Sequence, residues 1–165
     1  MRSAIFIFFV AIVLQGCKIY SFSGANVPAD IKMVQIDMFM NRSGNGPALL
    51  SQTFTDQLKN KFIVEANLKQ VSIDGDLHFK GYISGFTYSS IAPTSGVSSS
   101  LNRLTVTVNV EFQNTKDEKD KWTQSFTRFA EVPSTENLFS VENRLIDEIN
   151  KQLVDDIFLK ALVKW

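Results

Sequence analysis

The sequence predicts an α+β two-layer sandwich, with two amphipathic helices packed on one face of a mixed, mainly antiparallel sheet of four to five strands. Three observations carry that expectation. Leu104, Val106, Val108, Val110 and Phe112 alternate with Thr105, Thr107, Asn109, Glu111 and Gln113, the period of two of a strand buried on one face. Val141, Leu145, Ile149, Leu153 and Ile157 step by four, with Ile146, Val154 and Phe158 widening the stripe on a long helix. Leu50, Phe54, Leu58 and Phe62 repeat the same step earlier in the chain. Two striped helices and one half-apolar sheet each need cover, and packing face to face supplies it. A chain of 165 residues fits one such domain.

The first sixteen residues stand apart and are expected to be a removable secretory signal. Arg2 supplies a positive start, and Ala4 to Leu14 runs without a polar side chain. These eleven residues are too few to cross about 30 Å of hydrocarbon as a helix. Leu14-Gln15-Gly16-Cys17 then resembles a lipobox, the site where a lipoprotein is cut before an acylated cysteine. Gln15 departs from the small or apolar residue usual at its position. An ordinary signal followed by an incidental cysteine is the alternative. Cys17 is the only cysteine, so no internal disulfide can form, and acylation gives the odd thiol a role. The expected groups are a diacylglycerol on sulfur and an acyl chain on the new amino terminus. Two or more chains hold stably where one holds marginally.

Residues 17–30 read as the lipidated terminus and an extended tether with Gly24 and Pro28 as breakers, and residues 31–165 as the folded domain. Partial alternation at Ile31, Met33, Ile36 and Met38 predicts a strand over 31–39, followed by a turn-rich loop from Asn41 to Pro47. The first helix is expected from Ala48 to Ala66. A short strand from Lys69 to Ile73 then meets Asp74-Gly75, a hairpin signal. Leu77, Phe79, Gly81, Ile83 and Gly85 alternate with His78, Lys80, Tyr82, Ser84 and Phe86. After the Thr-rich strand, a charged turn from Lys116 to Lys121 leads into a strand from Trp122 to Ala130. Ser140 or Ser134 is the expected cap of the last helix, with Glu142 near its positive end.

Removing residues 1–16 leaves a net charge near −1, which argues against a nucleic-acid partner. The residues nominate no active site. His78 is the single histidine and falls on a polar strand face, and Asp74 and Asp76 read as turn residues. Asp155 and Asp156 are helix neighbours that cannot face one another. No phosphate loop, nucleophile elbow or metal-spaced cluster occurs in the sequence. The reading is a non-enzyme without a cofactor beyond the acyl groups on Cys17.

Several segments together resemble one family. They are Cys17 to Ala25, Ser51-Gln52-Thr53-Phe54-Thr55, Gly75-Asp76-Leu77 with Gly81-Tyr82-Ile83, and Leu101-Asn102-Arg103-Leu104-Thr105-Val106. Asn114 to Asp117, Gln124 to Arg128 and the ending through Ala161 and Trp165 follow in the same order. Their number, order and spacing are similar to those of the lipopolysaccharide-assembly lipoproteins LptE. The resemblance implies two helices on a four-stranded sheet, an anchor in the outer membrane on its periplasmic side, and a place in the lumen of the LptD β-barrel. It also implies delivery of lipopolysaccharide to the cell surface, with lipopolysaccharide as a possible ligand.

A barrel of many strands leaves an aqueous lumen, and a Thr/Asn/Gln-rich sheet face suits its polar wall. The Ser-rich loop 89–102 is expected to reach deepest, so Ser98, Ser99, Ser100, Asn102 and Arg103 are the candidate contacts to partner or lipopolysaccharide. Arg103 has donors for a phosphate or a barrel carboxylate. Its alternative reading is a strand-end residue covering the sheet with its alkyl stem. Rivals to the transport role are a lipid-anchored structural or adhesive envelope domain and a membrane-attached hydrolase.

Overall fold

The computed structural model describes residues 27–92 and 100–162. The predicted sandwich is present. Its strands are β1 (Met33–Ile36), β2 (Met40–Asn41), β3 (Lys69–Val71), β4 (Leu77–Ile91), β5 (Leu101–Asn114) and β6 (Lys121–Pro133). Helix α1 (Leu50–Glu65) lies between β2 and β3, and α2 (Leu138–Leu162) follows β6. Strand order is β3-β1-β4-β5-β6, with β2 also paired to β4. Strands β1 and β2 run parallel to β4, while β4, β5 and β6 are antiparallel. The sheet has six strands because β2, at Met40–Asn41 just past the predicted strand over 31–39, adds a short one, while that predicted strand shortens to Met33–Ile36.

The alternation seen in β5 sets the layers. Leu104, Val106, Val108, Val110 and Phe112 are all buried under the helices. The helix stripes meet them, with Leu50, Phe54, Leu58 and Phe62 buried from α1 and Leu145, Ile149, Leu153 and Ile157 from α2. Phenylalanines tie the layers together. Phe62 lies 4.7 Å from Phe79 and 5.1 Å from Phe158, centroid to centroid, and Phe79 lies 4.9 Å from Phe112. Ser51 and Thr55 on α1 reach back to the segment from Phe39 to Asn41. The Ser51 hydroxyl accepts the Asn41 N–H at 2.8 Å, and the buried Thr55 hydroxyl accepts the Phe39 N–H at 3.1 Å.

Three expectations are corrected. Asp74-Gly75 is not a hairpin turn, because β3 and β4 both run parallel to β1 and flank it. The segment between them crosses over β1 instead. Asp74 has a positive φ of 57°, and a Cβ on Gly75 would come within 2.5 Å of the Gln35 nitrogen. Only glycine allows that approach. The alternation along β4 also breaks: the register shifts between Ile83 and Gly85, leaving Ser84 as a bulge. One extra residue inverts the pattern beyond it, so Phe86 is buried opposite Val106 instead of facing outward. Neither Ser140 nor Ser134 caps α2. The Asn137 side chain accepts the Phe139 N–H at 3.0 Å, which is the capping bond, while the Ser140 hydroxyl donates to the Asn137 carbonyl.

Candidate functional site

The outer face of β4, β5 and β6 is bare of helices among the described residues. Register sets its side chains in rows. His78, Gln113 and Lys121 form one row, and Lys80, Glu111 and Thr123 the next. Tyr82, Asn109 and Ser125 follow, then Gly85, Thr107 and Thr127, then Thr87, Thr105 and Phe129, and finally Ser89, Arg103 and Glu131. Charge thus sits in the rows at the two ends, and hydroxyl and amide groups fill the middle. The Ser125 hydroxyl donates to the Asn109 amide oxygen, and the Thr107 and Thr127 hydroxyls meet at 3.0 Å.

At the far end Arg103 is held by two neighbours on β6. Its Nε donates to Glu131 Oε1 at 2.8 Å, and the guanidinium carbon lies 4.0 Å from the centroid of Phe129. The arginine pairs within its own chain, and its guanidinium stacks on an aromatic ring. Glu131 and Phe129 are not legible in the sequence, because their place beside Arg103 depends on the exact register of β5 with β6. The observed register, with Gln113 opposite Lys121, brings position 131 opposite 103. Asn102 accepts a hydrogen bond from the Ser90 hydroxyl at 3.1 Å, and the Ser100 carbonyl accepts the Ser134 N–H at 3.0 Å. Ser98, Ser99 and Cys17 lie outside the described residues. The two ends of the expected loop 89–102 are strand, since β4 runs on to Ile91 and β5 begins at Leu101.

At the near end His78, Lys80, Glu111, Gln113, Lys121 and Thr123 line a shallow groove. His78 Nε2 lies 3.1 Å from Asp37 Oδ2, and the Gln35 amide donates to Asp37 Oδ1 at 3.1 Å. Burial pushes the Asp37 carboxyl up, but these hydrogen bonds and the charges of His78 and Lys80 outweigh it, so its pKa is lowered. Asp76 lies beneath this end and is 4 % exposed. It is no mere turn residue: its Oδ2 accepts the Lys32 and Met33 N–H groups at 2.8 and 2.9 Å, and Lys116 reaches Oδ1 at 3.0 Å. The Lys32 hydrogen bond leads the causes that lower its pKa against burial. No group of three or more His, Cys, Asp and Glu side chains gathers among the described residues. No helix among them is long and apolar enough to cross a membrane.

The fold has relatives among solved structures. The hypothetical protein CT253 from Chlamydia trachomatis is similar at a TM-score of 0.53 and 9 % identity, over 81 % of this chain and 99 % of that one. Protein XCC0632 from Xanthomonas campestris is similar at 0.54 and 11 % identity, over 81 % and 84 %. A minor lipoprotein from Acinetobacter baumannii has a TM-score of 0.49 at 18 % identity, over 79 % and 95 %. No curated protein matches the sequence. Residues 31–161 match the family described as LptE, lipopolysaccharide-assembly. That match takes in every strand and nearly all of both helices, and the chain therefore belongs to the LptE family of lipopolysaccharide-assembly proteins.

Proposed function

We propose that this chain is an outer-membrane lipoprotein, acylated on Cys17 after removal of residues 1–16, that plugs and helps assemble an LptD-type β-barrel for lipopolysaccharide transport. The family match over residues 31–161 carries the reading. The polar outer face supports it. Rows of hydroxyls and amides offer a barrel wall hydrogen-bonding partners, with the Arg42 guanidinium 4.5 Å from the Tyr82 centroid at their β4 margin. In this reading Ser98, Ser99, Ser100, Asn102 and Arg103 contact the barrel or the lipid, with Arg103 exchanging or sharing Glu131 for a phosphate.

The role is one of binding and support and needs no chemistry at His78. Affinity purification of the tagged chain from outer membranes, with mass spectrometry of what stays bound, tests it. A large outer-membrane barrel is the expected partner. Envelope scaffold components without a barrel would favour the structural or adhesive reading instead.

A further inference from the structure

We propose that the far half of β4, from Gly85 to Ile91, takes an added β-strand from the barrel partner, an extended and uncharged segment paired to the free backbone groups of Phe86, Tyr88 and Ser90. This rests on the lumen placement proposed above and adds to it a second contact surface and the form of the partner segment.

The first observation is which backbone groups are free. β1 and β2 pair with β4 only as far as Ile83, while β5 lines its whole length. The Phe79 carbonyl accepts the Asp37 N–H at 3.0 Å, and the Ile83 carbonyl accepts the Arg42 N–H at 2.8 Å. Both residues therefore aim their backbone groups away from β5, where they stand opposite Phe112 and Val108. β5 pairs with β6 without a break, so Val106, Leu104 and Asn102 continue that alternation past the Ser84 bulge. Their partners Phe86, Tyr88 and Ser90 thus turn N–H and C=O to the side that β2 has left. These groups meet no hydrogen-bond partner among the described residues.

The second observation is that this edge is unguarded. Open strand edges invite pairing, and charges, prolines or short length ordinarily prevent it. β3 is only three residues long. The β6 edge has Lys121 at its start, Pro133 at its end, and Arg128 turned to the helix side, opposite Val106 and bonded to Asp156 at 2.6 Å. From Ser84 to Ile91 β4 has no charge and no proline. Beyond the bulge its register with β5 is regular for about 20 Å. Thr87 and Ser89 alternate with the free groups and belong to the polar outer face, so a strand added here extends the surface proposed to meet the barrel wall. On the helix side the Tyr88 ring is 39 % exposed, with its hydroxyl donating to Glu142 at 2.8 Å. The added strand therefore alternates polar side chains beside Thr87 and Ser89 with apolar ones beside Tyr88. A lumen that encloses one domain has room for a folded-in segment of the barrel chain and none for a second sandwich. The occupant is that segment.

Residue-resolved amide hydrogen exchange, on the full chain alone and on the chain purified with its barrel, tests the pairing. In the free chain the amides of Tyr88 and Ser90 should exchange fast beside slow neighbours at Thr87 and Ser89. In the complex they should slow by about tenfold or more. Ser90→Pro deletes one free N–H and leaves the β5 ladder intact, so copurified barrel should fall several-fold at an unchanged denaturation midpoint. Unchanged exchange at Tyr88 and Ser90 in a complex that holds the barrel overturns the added strand alone. Slowing that appears in the chain alone as its mass doubles assigns the edge to a second copy and overturns the barrel segment. A preparation without any barrel overturns the lumen reading and this inference with it.

Discussion

The guanidinium of Arg103 lies over the ring of Phe129, one strand away and 26 positions further along the chain, with its carbon 4.0 Å from the ring centroid. The same arginine is bound by Glu131, so an exposed aromatic and a charge pair share one cation at the far end of the polar face.

Arg103→Ala should therefore cost little in stability, about 1 kcal/mol or less, since the pair is part-exposed. Its effect should fall on binding instead. Copurification with the barrel or lipopolysaccharide should weaken while the chemical denaturation midpoint barely moves. Unchanged binding in both assays would remove Arg103 from the contacts.

Asp76 should matter far more to folding. Replacing it with Asn leaves a charge-accepting site for Lys32, Met33 and Lys116 half filled, at a cost of about 1–3 kcal/mol. The folded carboxyl has a pKa below its ordinary value, so its stabilisation is present above the usual carboxylate range and is lost as pH falls through it toward the folded pKa. Denaturation midpoints of wild type and Asp76→Asn should thus lie apart at pH 7 and converge below about pH 4.

Two glycines of β4 should respond very differently to alanine. A Cβ at Gly81 would come within 2.4 Å of the Phe39 ring and closer still to the Asn109 carbonyl. At Gly85 it would meet only the Thr107 side chain, at 3.2 Å. Gly81→Ala should cost about 3 kcal/mol or more, or prevent folding, and Gly85→Ala about 1 kcal/mol at most. Thermal unfolding of the two variants checks the contrast.

Asn150 is fully buried on α2, and neither atom of its amide has a hydrogen-bond partner among the described residues. Leucine there should raise the melting temperature, by the equivalent of about 1 kcal/mol or more, because an unpaired amide is an expensive core group. A lower melting temperature would mean that the amide fixes the packing of α2.

What could be read in advance was whatever depends on period. The Thr-rich strand and both helix stripes come from neighbours two or four positions apart, and burial of Val108, Phe54 and Leu153 follows directly. What stayed hidden depends on partners far along the chain. Asp74-Gly75 has the same local chemistry in a hairpin as in a crossover, and only the pairing of β3 with β1 separates them. The Ser84 bulge likewise leaves no mark in a sequence that continues to alternate, yet it decides that Phe86 is core. At the polar face Arg103 was nominated as a free donor, because its acceptor lies 28 positions away on another strand.

The placing of β1 between β3 and β4 has a mechanical consequence. The first strand among the described residues is an interior strand with a neighbour on each side, and Asp76 grips its backbone at Lys32 and Met33. Tension drawn through the amino-terminal segment cannot unzip the sheet from a margin. It must shear two ladders and a carboxylate clamp at once, so the domain is built to bear load at the point where a leash would pull on it.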